Sequence, residues 1–132
     1  MNSERNEKDY LEAEELFADA EDAIDSGDSA AAEKLLRQVV TKNPCFSYAY
    51  RLLAEIVAKN GRLPEAIRIL DACMKNDAGY SRAFYLSAKY RYRSGDIETA
   101  GRFLTKARTL EPESRLYALC GTLLKKVPSP SN

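Results

Sequence analysis

The chain contains 132 residues, 45% of them hydrophobic and 30% charged, a length and composition typical of one helical domain with a single core. Twenty basic and 20 acidic residues give a net charge of zero, which argues against a general nucleic-acid binder. The sequence shows no apolar run near the roughly 20 residues that cross a membrane and no secretory signal behind its charged first residues. We therefore expect a cytoplasmic protein without a membrane segment.

The charges are unevenly distributed along the chain. Residues 1–34 contain 12 acidic and 3 basic residues, whereas residues 35–132 contain 8 acidic and 17 basic residues. One interpretation is a solvated acidic first helix that simply begins the fold. The other is a polarised surface that steers a charged partner or lets copies of the chain stack head to tail. The sequence leaves both open.

A 34-residue repeat organises most of the chain. Glycines recur at 34-residue intervals at Gly27, Gly61 and Gly95. Each glycine has an alanine seven residues before it, another five residues after it, and a leucine four residues further on: Ala20, Ala32 and Leu36; Ala54, Ala66 and Leu70; Ala88, Ala100 and Leu104. Three copies in register without an insertion indicate a repeat protein.

Each copy has the apolar spacing of two helices joined by a tight turn. The glycine between them suits a left-handed C-terminal cap, Pro64 suits the first turn of the helix that follows, and Ser81 suits an N-cap. In chain order we predict an extension or helix start at 1–12, hairpins at 13–46, 47–80 and 81–114, a helix at 115–127 and a disordered tail at 128–132.

The segment from Arg93 to Gly101, R-S-G-D-I-E-T-A-G, has two glycines that could suggest a phosphate-binding loop. It lacks the Lys-Ser/Thr that follows the second glycine of such a loop, and no predicted strand precedes it. We interpret the segment as a helix end, a turn and a helix start, with Gly101 at a place where neighbouring backbones pass closely.

Reactive chemistry is not expected from this sequence. The chain has no histidine, the most common general base, and its three cysteines, Cys45, Cys73 and Cys120, are far apart. A structural zinc site needs four ligands of these types, so we predict no metal and no cofactor. Cys73 falls on an apolar position and is expected to be a buried small hydrophobe. The protein is predicted not to be an enzyme.

The period of 34 and the small-residue positions resemble the tetratricopeptide repeat, whose pattern is W-x2-L-G-x2-Y…A-x3-F…P. The sequence departs from that pattern because the tryptophan is replaced by Leu16, Tyr50 and Phe84, and the glycine by alanine in all three copies. The resemblance implies an all-α fold, in which three helical hairpins and a C-terminal capping helix form a right-handed α-solenoid.

The resemblance also implies that the first helix of each repeat lines a concave groove for a partner peptide. The residues carried over are Glu14, Phe17, Glu21 and Ile24, then Tyr48, Arg51, Glu55 and Lys59, then Arg82, Tyr85, Lys89, Tyr92 and Arg93. The last two sets, without Lys59, form the predicted peptide-binding site.

Helical spacing places Arg82, Tyr85, Lys89 and Tyr92 on one stripe. Because tyrosine and arginine dominate binding hot spots, and arginine grips carboxylates in a bidentate way, we expect an acidic partner segment or a free carboxylate near the third repeat. In the alternative interpretation, Tyr85 and Tyr92 partly cover the capping helix, and the basic residues only keep the surface solvated.

The sequence also bears on roles other than that of an adaptor that binds a peptide in its groove. Family members that bind Hsp70 or Hsp90 tails use Lys and Asn on the first groove helix, where this chain has Phe17 and Glu21, so that mode is not expected. RNA reading is not expected either, because the period is 34 rather than 35 and the matching positions hold Phe17, Arg51 and Tyr85. Three repeats and a cap also resemble bacterial secretion chaperones. A self-assembling scaffold, paired through its oppositely charged parts, is a further alternative.

Overall fold

The computed structural model describes residues 3–125, with side chains described from residue 6 to residue 122. This part of the chain forms seven α helices and contains no strand. The helices are α1 (Ser3–Asp25), α2 (Ser29–Lys42), α3 (Ser47–Lys59), α4 (Leu63–Asn76), α5 (Ser81–Arg93), α6 (Ile97–Leu110) and α7 (Arg115–Lys125). The predicted tail at 128–132 and the last two residues of the predicted capping helix lie outside the described residues.

The helices pack as three hairpins followed by one further helix. α1 packs on α2, α3 on α4, and α5 on α6, while contacts of α2 with α3, α4 with α5 and α6 with α7 join these units in series. This arrangement confirms the predicted α-solenoid, and α7 occupies the place of the capping helix. The division into repeats at 13–46, 47–80 and 81–114 stays a prediction.

The same turn joins the two helices of every hairpin. A positive φ of 79° to 90° marks its glycine in each copy: Gly27, Gly61 and Gly95. Glycine adopts this left-handed conformation without steric cost, which ends the first helix of the hairpin. The carboxylates of Asp28 and Asp96 then accept hydrogen bonds from the backbone N–H groups of Ala31 and Thr99, capping α2 and α6. In α4, Pro64 occupies the first turn as predicted.

Small and large apolar residues share the space between the helices. Alanines at the repeat-related positions are fully buried: Ala20, Ala32, Ala54, Ala66 and Ala100. Because these side chains are short, the helices approach closely, and Leu36, Leu53 and Leu70 fill the remaining space. Each buried leucine contributes about 1.5–3 kcal/mol before chain entropy is counted. Cys73 is also fully buried, as predicted, and burial raises the pKa of its thiol to about 11.

An ion network links the first two hairpins across α2 and α4. Arg62 Nη2 donates to Glu33 Oε1 at 2.5 Å, and Arg37 Nη2 donates to Glu65 Oε2 at 2.6 Å. Arg37 also reaches Glu33, and Arg62 reaches Glu65, both at 2.9 Å. The hydrogen bond from Arg62 lowers the pKa of Glu33 to about 2 against the opposing effect of burial. These bonds fix the second hairpin against the first.

Two local predictions are wrong. Ser81 does not cap α5, because Tyr80 is the N-cap residue and Ser81 is already inside the helix. The Ser81 hydroxyl is buried, where it donates to the Glu111 carboxylate and shares a 3.1 Å hydrogen bond with the Tyr117 hydroxyl. Gly101 does not mark a close backbone contact, since a Cβ there would meet no neighbouring atom of the described residues within 4 Å.

Candidate functional site

The predicted contact residues of α3 interact with one another. The Arg51 guanidinium lies 4.9 Å from the centre of the Tyr48 ring, and its Nε donates to Glu55 Oε1 at 3.3 Å. Burial lowers the pKa of Arg51, but hydrogen bonds to Tyr80 and Glu55 outweigh burial and raise that pKa. The charge of this stripe is therefore largely neutralised within the second hairpin.

On α5 the corresponding residues face α7. The Tyr85 ring stacks on the Tyr117 ring of α7, with centroids 5.2 Å apart and planes at 29°. Burial raises the pKa of the Tyr85 phenol, and the Arg82 guanidinium lies 5.7 Å from the centre of the ring. Tyr85 thus covers part of the last helix, in keeping with the alternative interpretation, whereas Tyr92 remains 43% exposed.

A pocket of about 520 Å³ opens between α5, α6 and α7. Its lining comes from all three helices: Tyr85, Ala88, Lys89, Tyr92, Arg93, Leu104 and Cys120. Ala88 and Leu104 are buried and Cys120 is partly buried, so they form an apolar base, while Lys89 and Arg93 are exposed. The structure therefore brings four of the eight predicted site residues together in one pocket.

Lys89 and Arg93 carry positive charge that the surrounding structure does not neutralise. Neither forms an ion pair with a residue in the described part of the chain. The Arg93 guanidinium lies 5.9 Å from the centre of the Tyr90 ring, which leaves its N–H groups free to bind an acceptor. Residues four apart on a helix are neighbours, so the two cations act on the same approaching group.

Ala88, Leu104 and Cys120 line the pocket although the sequence did not indicate them as site residues. Ala88 and Leu104 belong to the repeat pattern, whose positions indicate core packing. Cys120 follows Leu86 by 34 residues, which is one repeat period. That register places Cys120 on the face of α7 that packs toward α5, and it was the available signal for this part of the pocket.

The first helix contributes differently from the prediction. Phe17 is buried, with its ring centroid 4.7 Å from that of Phe46 and 5.6 Å from that of Tyr48. It joins two hairpins and does not offer its ring to a partner. Glu14 and Glu21 are exposed, so the part of the predicted groove on α1 is acidic.

Among the described residues, no group of three or more His, Cys, Asp or Glu side chains could hold a metal ion. Within that range, every helix is too short or too polar to cross a bilayer.

The fold and its repeat pattern together define a class of helical-repeat protein. The family profile of the tetratricopeptide repeat matches residues 23–90, just over half of the chain. The chain therefore belongs to the tetratricopeptide repeat family. The comparison with curated proteins found no significant match to this sequence.

Solved structures agree with this assignment at low sequence identity. The tetratricopeptide repeat domain of Arabidopsis OM64 has a TM-score of 0.79 and 15% identity, covering 90% of this chain and 99% of that domain. The first such domain of Spaghetti (RPAP3), bound to the HSP90 peptide SRMEEVD, has a TM-score of 0.80 and 13% identity, covering 88% and 92%. The Yersinia enterocolitica type III secretion chaperone SycD, in complex with a peptide of the translocator YopD, has a TM-score of 0.73 and 19% identity, covering 85% and 86%. At these identities the likeness concerns the fold.

Proposed function

We propose that this protein is an interaction module that binds an acidic peptide segment in the pocket between α5 and α7. Membership of a family that serves as a scaffold for protein interactions supports the general role. Two of the similar structures hold a peptide, and the HSP90 peptide SRMEEVD is itself rich in acidic residues. The observation that carries the proposal for this chain is the pair of unneutralised cations, Lys89 and Arg93, beside an apolar pocket.

The pocket suits a side chain that is apolar, next to one that is acidic. Its volume of about 520 Å³ lies within the range of roughly 300–1,000 Å³ that ligand pockets occupy. Leu104 and Ala88 offer apolar surface at its base, and the exposed Tyr92 ring offers a flat wall. An anionic group beside that apolar side chain would meet Lys89 and Arg93, whose hydrogen bonds to a carboxylate are charge-assisted.

The other predicted residues have supporting roles in this proposal. Tyr85 forms part of the pocket wall and stacks on Tyr117 of α7. Arg82 extends the positive charge along α5. Tyr48, Arg51 and Glu55 lie on the neighbouring helix, where the Arg51–Glu55 pair gives no net charge to attract an acidic segment. We therefore place the main peptide contacts on α5, with α3 at the side of the binding surface.

A displayed library of random peptides tests the proposal directly. Selection on the wild-type protein should enrich Asp or Glu beside an apolar residue, and the enriched peptides should lose binding to a Lys89→Glu/Arg93→Glu variant. The matched control is Lys34→Glu/Arg68→Glu, which makes the same charge change at two exposed positions away from the pocket. Enriched peptides without acidic residues, or equal losses in both double variants, would refute the proposal.

A further inference from the structure

The two large apolar side chains that are most exposed among the described residues lie on the first and the last helix. Leu11 of α1 is 65% exposed and Leu119 of α7 is 61% exposed. Each has an exposed apolar neighbour, Tyr10 at 45% and Leu116 at 41%. Because the helices pack in series from α1 to α7, these two apolar patches belong to opposite ends of the solenoid.

The neighbours of the patch on α1 are mostly acidic, and the exposed Lys8, three residues before Leu11, is a basic one on the same side. Glu7, Glu14 and Glu15 are exposed and lie four residues before, three after and four after Leu11, so they share its side of the helix. The sequence of α1 contains ten acidic and two basic residues. Glu12 is paired with Lys42 at 2.6 Å, and none of the other acidic residues described on α1 forms an ion pair within the described part of the chain. We call Glu7, Tyr10, Leu11, Glu14 and Glu15 the acidic end patch.

The patch on α7 has basic neighbours. Arg115 is exposed and precedes Leu119 by four residues, which places it on the same side of the helix. Arg108 of α6 is exposed and reaches α7, where its side chain lies beside Gly121. In the turn between α6 and α7, the Glu111 carboxylate accepts a hydrogen bond from the Ser81 hydroxyl. Glu113, the other acidic residue of this turn, is exposed. We call Arg115, Leu116 and Leu119 the basic end patch; Arg108 lies at its edge, because Gly121 is buried and two residues from Leu119, on a different side of α7.

We propose that the acidic end patch of one copy docks on the basic end patch of another copy of this chain. The occupant is a second copy because one chain carries both halves of a complementary pair: exposed leucines on each side, acidic residues on one side and basic residues on the other. The two patches differ from each other, so the contact is heterologous and joins copies head to tail. Such an interface extends into a row of copies unless the rotation between them closes a ring.

This inference does not depend on the peptide pocket. Leu11, Leu119, Arg108 and Arg115 do not line that pocket, so each proposal can fail while the other holds. The interface joins exposed charges, and we therefore expect association to weaken as salt shortens the range of electrostatic attraction.

Sedimentation velocity and light scattering of the full chain provide the first test. The weight-average mass should rise above the 14.8 kDa of one chain as concentration increases. It should fall back when ionic strength is raised from about 0.01 M, where the Debye length is about 30 Å, to about 1 M, where it is about 3 Å. A single 14.8 kDa species at every concentration and ionic strength would overturn the proposal.

A complementation experiment tests the head-to-tail geometry. Leu119→Glu should inactivate the basic end patch and Leu11→Lys the acidic one, so each variant alone should be monomeric at concentrations where the wild type associates. An equimolar mixture should associate again, because the acidic end patch of one variant and the basic end patch of the other remain intact. A mixture that stays monomeric, or a single variant that assembles like the wild type, would contradict this geometry.

Both substitutions replace side chains that are more than 60% exposed, so the helical circular dichroism and the unfolding midpoint should match those of the wild type. Ile24→Lys is the matched control, since Ile24 is an exposed apolar residue of α1 outside the acidic end patch. It should assemble like the wild type. Loss of assembly in this control to the same extent as in Leu11→Lys would show that the acidic end patch has no special role.

Discussion

The second and third hairpins place different chemistry at equivalent positions of their first helices. Where α3 has Arg51 and Glu55, α5 has Tyr85 and Lys89, each 34 residues later. In α3 the two charges bind each other at 3.3 Å. In α5 the tyrosine stacks on α7, and the lysine has no ion-pair partner in the described range.

The first two hairpins differ from the third in the same way, in how many of their basic side chains form ion pairs. In the first two hairpins, Arg37, Lys42, Arg51 and Arg62 all form ion pairs with glutamates. In the third hairpin, Arg91 alone forms ion pairs within the described residues, with Asp71 and Asp96 at 3.5 Å. The first two hairpins therefore use much of their basic charge for cohesion, whereas the third presents it to solvent. A repeated backbone can hold both uses because helix geometry does not depend on the exposed side chains.

The largest expected effect comes from giving α5 the residue that α3 has at the equivalent position. Lys89→Glu should weaken binding of a selected acidic peptide by about 2 kcal/mol or more, roughly 30-fold, because a like charge replaces an attractive one. Fluorescence anisotropy with a labelled peptide measures this loss. Lys59→Glu, on α3 at the position equivalent to Arg93, serves as the control and should change affinity less than about threefold, within about 0.7 kcal/mol. Equal losses would show that the α5 cations have no special role.

The cohesive charges of the first two hairpins should affect stability and not peptide affinity. Glu33→Gln should lower the free energy of unfolding by about 1–2 kcal/mol at neutral pH, a value reduced because Arg37 and Arg62 are partly solvated. Urea unfolding followed by circular dichroism measures this change. Glu98→Gln, at an exposed glutamate without an ion-pair partner in the described residues, should change stability by less than about 0.5 kcal/mol.

The effect of Glu33 should depend on pH with a definite sign. Its pKa falls from 4.5 to about 2 in the folded protein, so the folded state holds the ionised form more favourably than the unfolded chain does. The stabilisation is complete above the unfolded pKa and is lost as pH falls toward the folded one. The difference between wild type and Glu33→Gln should therefore be smaller at pH 3 than at pH 7. A difference that is the same at both pH values would contradict this assignment.

Substituting one equally exposed tyrosine on each helix tests whether α5 or α3 is the binding surface. Tyr92 on α5 is 43% exposed and Tyr48 on α3 is 41% exposed, so exposure alone does not distinguish them. Tyr92→Ala should weaken peptide binding about tenfold, or 1.4 kcal/mol, as expected for an aromatic hot-spot residue. Tyr48→Ala should leave affinity nearly unchanged. Isothermal titration with the same peptide decides, and the reverse ranking would move the site to α3.

The smallest expected effect comes from releasing Arg51. Glu55→Gln removes the carboxylate that holds the guanidinium, so the positive surface of α5 would extend onto α3. Binding of an acidic peptide should tighten up to about threefold at low salt, since exposed charges contribute less than about 1 kcal/mol. The gain should vanish at high salt. Weaker binding at low salt would mean that Glu55 itself contacts the partner.

The 34-residue period was sufficient to predict the helices, the turns and the packing positions. For instance, only three residues separate α3 from α4, and this tight turn needs a left-handed residue. Glycine adopts that conformation without steric cost, so Gly61 marks the turn in the sequence. Of the residues that line the pocket, only those on the exposed stripe of α5 were predicted as site residues. The stripe of Tyr85, Lys89 and Tyr92 follows from helical spacing. Cys120 follows only if the 34-residue register is extended into α7, and the pocket itself depends on how α7 sits against α5.

The wrong prediction for Ser81 has its origin in contacts between distant segments. Serine is a favoured N-cap residue, but the Ser81 hydroxyl forms hydrogen bonds with Glu111 and Tyr117, which lie 30 and 36 residues away in the sequence. Contacts between distant segments thus outweigh a local preference that is worth about 1 kcal/mol. In α7 packing is also not evident from residue type, since Tyr117 is buried whereas Leu116 and Leu119 remain exposed.

Because the turns at Gly27, Gly61 and Gly95 have the same conformation, the length of the solenoid can vary independently of the side chains that line its pocket. Each hairpin meets only its neighbours, so duplicating the interval between the first two glycines would insert a whole unit without disturbing the geometry downstream. The last hairpin and α7 would keep their pocket at the far end. Reach and recognition are therefore encoded in different segments of the chain, and either can change without the other.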